Sequence, residues 1–101
     1  MEIRILNGGR GREINAAVLA AALNLGCKLT SANPFVRFEV LDWSDFLYIC
    51  WQGFTDFSRT FTINETTSRM HVQLLDDVGR WFETDVWYSP EHKGIHYVSL
   101  Y

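Results

Sequence analysis

After Pro34 the sequence is rich in aromatic and β-branched residues, with turn-forming residues at intervals of about 8–12 residues. This rhythm is typical of short antiparallel strands joined by turns, and it constrains the fold more than any other feature. We predict a meander of about six to seven strands. One strand covers residues 2–6, and the others lie near 35–41, 46–53, 57–63, 69–75, 80–88 and 95–101.

The segment from Glu13 to Leu25 carries the clearest helical signal, because alanine, a strong helix former, fills five of its positions. Glu13 suits the positive end of a helix dipole, and Gly26 suits a left-handed cap. Apolar side chains occupy nearly the whole circumference, so the helix should be buried on more than one side.

A second helix near 68–83 is the alternative to a hairpin in that segment. Leu74, Val78 and Trp81 stand at helical spacing, whereas Gly79 disfavours a helix and the residues before it alternate between apolar and polar. We favour the hairpin. The prediction is therefore a single α+β domain over residues 1–101, with one helix at about 13–25 packed on a mostly antiparallel sheet.

Features of export and of membrane insertion are missing from the sequence. No basic segment leads into an apolar run with a cleavage site, and the longest apolar stretch, Ala16 to Leu23, is too short to span a bilayer. Cys27 and Cys50 lie in apolar surroundings without partners at metal-ligand spacing, which indicates reduced thiols. We expect a cytoplasmic protein, located in the host cytoplasm if a phage encodes it.

Charge is unevenly distributed along the chain. Residues 1–37 carry five basic and two acidic side chains, whereas residues 38–101 carry four basic and ten acidic ones. In a meander, successive turns fall at alternate ends of the sheet. The predicted partner-binding residues would then form two groups, with Asp42, Trp43, Asp45, Glu65 and Glu91 at one end and Asp76 and Asp77 at the other, near Asp56. Trp43 between two acids is typical of an interface anchor.

The glycine-rich loop 8–12 offers an alternative site. A strand, this loop and a helix follow one another, so the loop amides with Arg10 and Arg12 could receive an anion or a nucleotide phosphate. Gly9 and Gly11 lack the third glycine of a dinucleotide motif, and no Walker sequence follows. The predicted anion-binding residues are Gly9, Arg10, Gly11 and Arg12.

Catalytic and metal-binding patterns are not apparent in the sequence. His71, His92 and His96 have no cysteine or acidic ligand at zinc-site spacing, and no serine lies in a Gly-x-Ser-x-Gly elbow. We therefore predict that the chain is not an enzyme, has no cofactor and binds no metal.

The aromatic content exceeds what a single helix can cover. One face of strand 80–88 carries Trp81, Glu83, Asp85 and Trp87, so the second face of the sheet should be solvated or covered by a partner. We expect a small binding protein that acts on a protein partner through an acidic and aromatic surface, as an inhibitor or immunity-type protein of phage or mobile elements. The acidic balance opposes direct nucleic-acid binding. A structural homo-oligomer, joined through the strand ending at Tyr101, is a further alternative.

Overall fold

The computed structural model describes residues 1–6, 12–31, 36–63, 69–89 and 94–99. Two helices and six strands follow one another in the order β1 (Glu2–Ile5), α1 (Arg12–Asn24), β2 (Leu29–Ser31), β3 (Val36–Glu39), α2 (Trp43–Ser58), β4 (Arg69–Leu75), β5 (Trp81–Ser89) and β6 (Gly94–Ser99). The predicted α+β class is confirmed.

Helix α1 agrees with the predicted segment to within one residue at each end. Gly26 follows it with φ at 82°, a backbone conformation that glycine adopts without steric cost. Ile14, Val18 and Ala22 are fully buried, so the alanine-rich helix is held by the core.

Helix α2 covers all of the predicted strand 46–53 and the start of the predicted strand 57–63, whose remaining residues form a turn and loop, so both strand predictions are wrong. Asp42 caps the helix, since its carboxylate accepts a hydrogen bond of 2.9 Å from the Asp45 backbone N–H. The buried side is apolar or small at helical spacing, with Phe46, Ile49, Cys50, Gly53, Phe54 and Phe57. Tertiary burial of this stripe outweighs the strand preference of the aromatic residues. Neither helix, within the described ranges, has the length and apolar character needed to cross a membrane.

Strands β4 and β5 form the predicted hairpin, so the alternative of a second helix near 68–83 is wrong. Seven residue pairs join the two strands, from Arg69 opposite Trp87 to Leu75 opposite Trp81. The turn between them places Gly79 at a φ of 85°, where a side chain would be strained.

The sheet is not a simple meander, because β1 lies between β3 and β4. Its strand order is β2-β3-β1-β4-β5-β6, and all neighbours are antiparallel. The first six elements thus have the order of a split βαβ arrangement, with β5 and β6 added beside β4. The predicted meander describes only β4, β5 and β6.

The two faces of the sheet differ sharply. Alternate residues such as Ile3, Phe38, Val72 and Val86 are buried with both helices in one core cluster. The opposite face, which we call the open face, carries the intervening polar and aromatic side chains, including Arg4, Arg69, His71, Gln73, Trp81, Glu83, Asp85 and Trp87.

Candidate functional site

A cleft of about 840 Å³ opens where the end of α1, the start of α2, the end of β3 and the β4–β5 turn meet. We call it the acidic cleft, because its lining includes three carboxylates, at Glu39, Asp45 and Asp77. Its volume lies within the range of about 300–1,000 Å³ that is usual for ligand sites.

Asp45 and Asp77 both line this cleft, although the meander prediction placed them at opposite ends of the sheet. The reason is that α2 replaces two predicted strands and carries Asp45 in its first turn. Asp56, which was predicted to lie near Asp77, is instead in α2 close to its far end and pairs with Arg59 at 3.3 Å.

Two cations partly offset the three carboxylates. Lys28 lines the cleft, and the Met1 ammonium lies 3.4 Å from the carboxylate of Asp77, which is itself 88% exposed. The charges of the lining therefore leave an excess of one carboxylate, and the Asp42 carboxylate lies one turn before Asp45. The lining of the cleft thus carries a small net negative charge.

The rim of the cleft is apolar and exposed. Leu25 is 51% exposed, Leu41 is 86% exposed and Tyr48 is 52% exposed, whereas Val40 and Ile49 are buried beneath them. Leu41 directly precedes the helix cap, where an apolar residue often packs on the first turn. Here Leu41 points to solvent instead, so it remains available for a contact. Five lining residues were not predicted as part of a site, namely Leu25, Lys28, Glu39, Leu41 and Tyr48. The one available signal was an apolar residue, Leu41, directly before an acidic cap.

The Cys27 thiol lines the same cleft and is free, as is the buried Cys50 thiol. Burial raises the pKa of Cys27, and the carboxylate of Asp45 raises it further. The Cys27 thiol is therefore less reactive than an ordinary exposed cysteine.

Trp43 is not part of a turn but is the first residue of α2. Its ring is half-buried, with its centroid 5.1 Å from that of Phe46 and 5.3 Å from that of Tyr97. Since Asp42 caps the helix and Trp43 links it to β6, both residues stabilise the fold at the edge of the predicted surface.

Asp76 is occupied within its own turn. Its carboxylate accepts hydrogen bonds from the backbone N–H of Arg80 at 2.8 Å and of Val78 at 3.1 Å. The bond from the Arg80 backbone is the main reason that the pKa of Asp76 lies below its usual value of 3.8. Asp76 therefore shapes the turn that places Asp77 at the cleft.

Several predicted site residues lie outside the described part of the chain. These are Glu65 and Glu91 of the acidic surface and Gly9, Arg10 and Gly11 of the alternative anion site. Arg12 begins α1, and its side chain lies outside the described part as well.

The open face carries a second group of charged and aromatic residues. The Arg4 guanidinium lies 4.4 Å from the Trp81 ring centroid, and the Arg69 guanidinium lies 5.0 Å from that of Trp87. Both tryptophans lie on one face of β5, as predicted, whereas their arginine neighbours come from other strands and were not predicted.

Over the ranges that the structure describes, no three histidine, cysteine, aspartate or glutamate side chains are grouped so as to hold a metal ion. In the acidic cleft, carboxylates lie beside exposed apolar side chains.

Comparison with family models, curated proteins and solved structures finds no match to this chain.

Proposed function

We propose that this chain is a non-enzymatic binding protein that holds a protein partner in the acidic cleft. The observation that carries the proposal is one cleft lined by Asp45 and Asp77, from distant parts of the chain, and by exposed apolar side chains. Exposed apolar surface bordered by charge is typical of a protein interaction site.

The chemistry of the cleft favours a partner segment with both basic and apolar side chains. Glu39 and Asp45 are exposed carboxylates that can pair with arginine or lysine. Leu41 can cover an apolar side chain of the partner beside them. Attraction between exposed charges weakens as salt is added, so binding should be sensitive to ionic strength.

The kind of action that we propose is inhibition or immunity, in which the chain covers a basic functional surface of its partner. Such a role requires only a stable surface of opposite charge, which steers association and adds specificity. The partner would lose activity in the presence of one equivalent of the chain and regain it at high salt.

Selection of peptides from a random displayed library tests the proposal directly. We expect the selected sequences to be rich in arginine or lysine next to apolar residues. A synthetic selected peptide should bind the Asp45→Asn/Glu39→Gln variant about tenfold more weakly than the wild type. Leu41→Ser should also weaken binding while leaving stability unchanged, because the side chain is 86% exposed.

Asp56→Asn is the matched control for the Asp45→Asn part of this variant, since it removes one carboxylate from an exposed residue far from the cleft along α2. It should bind the peptide like the wild type. Selected peptides without basic residues, or equal weakening by the control, would contradict the proposal.

A further inference from the structure

Arg4, Gln73 and Glu83 face one another across neighbouring strands on the open face. Arg4 is opposite Gln73 in the β1–β4 ladder, and Gln73 is opposite Glu83 in the β4–β5 ladder. Arg4 donates a hydrogen bond of 3.2 Å to Gln73 Oε1, and Gln73 Nε2 donates to Glu83 Oε1. In this row, the cation of Arg4 lies on β1, to one side of β4, and the carboxylate of Glu83 lies on β5, to the other side.

A row of this kind is complementary to a second copy of itself. A two-fold axis parallel to β4, midway between two stacked sheets, exchanges the β1 side of one copy with the β5 side of the other. Arg4 of each copy then faces Glu83 of the other, and the two Gln73 side chains meet at the axis. We propose that the chain forms a homodimer in which two open faces pack together about this axis.

The next row supplies apolar contacts for the same interface. Leu75 lies on β4 with Trp81 directly opposite on β5. About the proposed axis, the two Leu75 side chains meet, and Trp81, which is 46% exposed, faces Glu2 of the other copy, whose carboxylate is paired with Arg37 of its own chain. Burial of a leucine and a tryptophan on each copy supplies the hydrophobic part of the association.

Other charges of the open face are paired within each chain, as Arg69 and His71 are with Asp85. Apart from His71, the basic side chains of the described open face are arginines, a residue that is enriched at protein interfaces, whereas lysine is depleted there. Arg69 also lies on β4, so the axis brings the Arg69 side chains of the two copies towards each other. Asp85 of the same chain lies 3.6 Å from Arg69 and offsets its charge. This inference rests on the open face alone and is independent of the function proposed for the cleft.

Sedimentation equilibrium with charge-reversed variants tests the dimer. The wild type should sediment with twice the mass of the 11.7 kDa chain. Arg4→Glu and Glu83→Arg should each dissociate to monomers at the same concentration, because each variant brings like charges together. An equimolar mixture of the two variants should form dimers again, since both inter-chain pairs then join opposite charges. Near-ultraviolet circular dichroism checks that each variant is folded.

A chain that stays monomeric up to about 1 mM would overturn the proposal. Dimers that persist in both single variants would overturn it too, because another surface would then hold them. Should a charge-reversed variant fail to fold, Gln73→Cys in a Cys27→Ser background gives a separate test. A short bismaleimide should link two such chains through position 73, while a wild-type dimer whose Gln73→Cys chains do not cross-link would contradict the axis.

Discussion

Gly53 of α2 lies so close to Val18 of α1 that a Cβ atom at position 53 would be 2.8 Å from the Val18 Cα atom. The two helices therefore meet backbone to backbone, and Gly53→Ala must push them apart. We expect this substitution to lower the free energy of unfolding by about 1–3 kcal/mol, although alanine favours helices. Urea denaturation measures the change, and a variant as stable as the wild type would contradict this close approach.

Asn15 holds the residue that follows β1 through a buried hydrogen bond, and we expect the fold to need this bond for its stability. It is 2% exposed, and its Nδ2 donates a hydrogen bond of 3.0 Å to the Leu6 carbonyl. Asn15→Ala removes this donor from a buried carbonyl and should cost about 1–3 kcal/mol of stability. Asn24→Ala, the same substitution at an exposed site of the same helix, is the control and should cost far less.

The reactivity of Cys27 should report on the charge of Asp45. Because that carboxylate helps to raise the pKa of Cys27, Asp45→Asn should lower it and increase the thiolate fraction. We expect the rate of alkylation by iodoacetamide to rise a few-fold at mildly alkaline pH. Cys50 should stay unmodified in the native protein because it is fully buried. An unchanged rate in Asp45→Asn, or an equal rise in Asp56→Asn, would argue against this coupling.

Asp76 should make stability depend on pH in the acid range. Its pKa is lowered in the folded state, so its hydrogen bonds add stability above its usual value of 3.8, and this contribution is lost as the pH falls through the lower folded value. Asp76→Asn should therefore be less stable than the wild type near neutral pH, and the gap should narrow in strong acid. Thermal unfolding at several pH values measures it. Asp77→Asn serves as the neighbouring control, and a gap that grows on acidification would contradict the assignment.

The elements predicted correctly from sequence are those in which local preference and tertiary burial agree. Alanines and a glycine cap define α1, and strict alternation from Met70 to Leu74 defines β4. Helix α2 was missed because Tyr48, Ile49 and Trp51 favour strands as isolated residues. The sequence signal for this helix was the apolar spacing of Phe46, Ile49, Gly53 and Phe57 after an aspartate cap. This pattern is set by the core against which the helix packs rather than by the helix propensity of the residues.

The candidate site was predictable only in part for the same reason. Asp45 and Asp77 were both predicted as surface acids, but they line the same cleft only because of the path of the chain through α2. Glu39 carried no local signal, because it stands out only through the cleft that it borders, and the one local signal at Leu41 was its position before the Asp42 cap. Composition and pattern thus predicted an acidic surface, and topology determined which acids line the same cleft.

The central position of β1 also has a consequence for the order of folding. Both of its neighbours come later in the chain, and β4 begins more than 60 residues after β1. The chain must therefore close a long loop, at an entropic cost, before β1 gains its second row of hydrogen bonds. Until β4 arrives, one edge of β1 stays open to pairing with other chains. The rate of folding, and the tendency to aggregate on the way, should thus depend more on the arrival of β4 than on the formation of either helix.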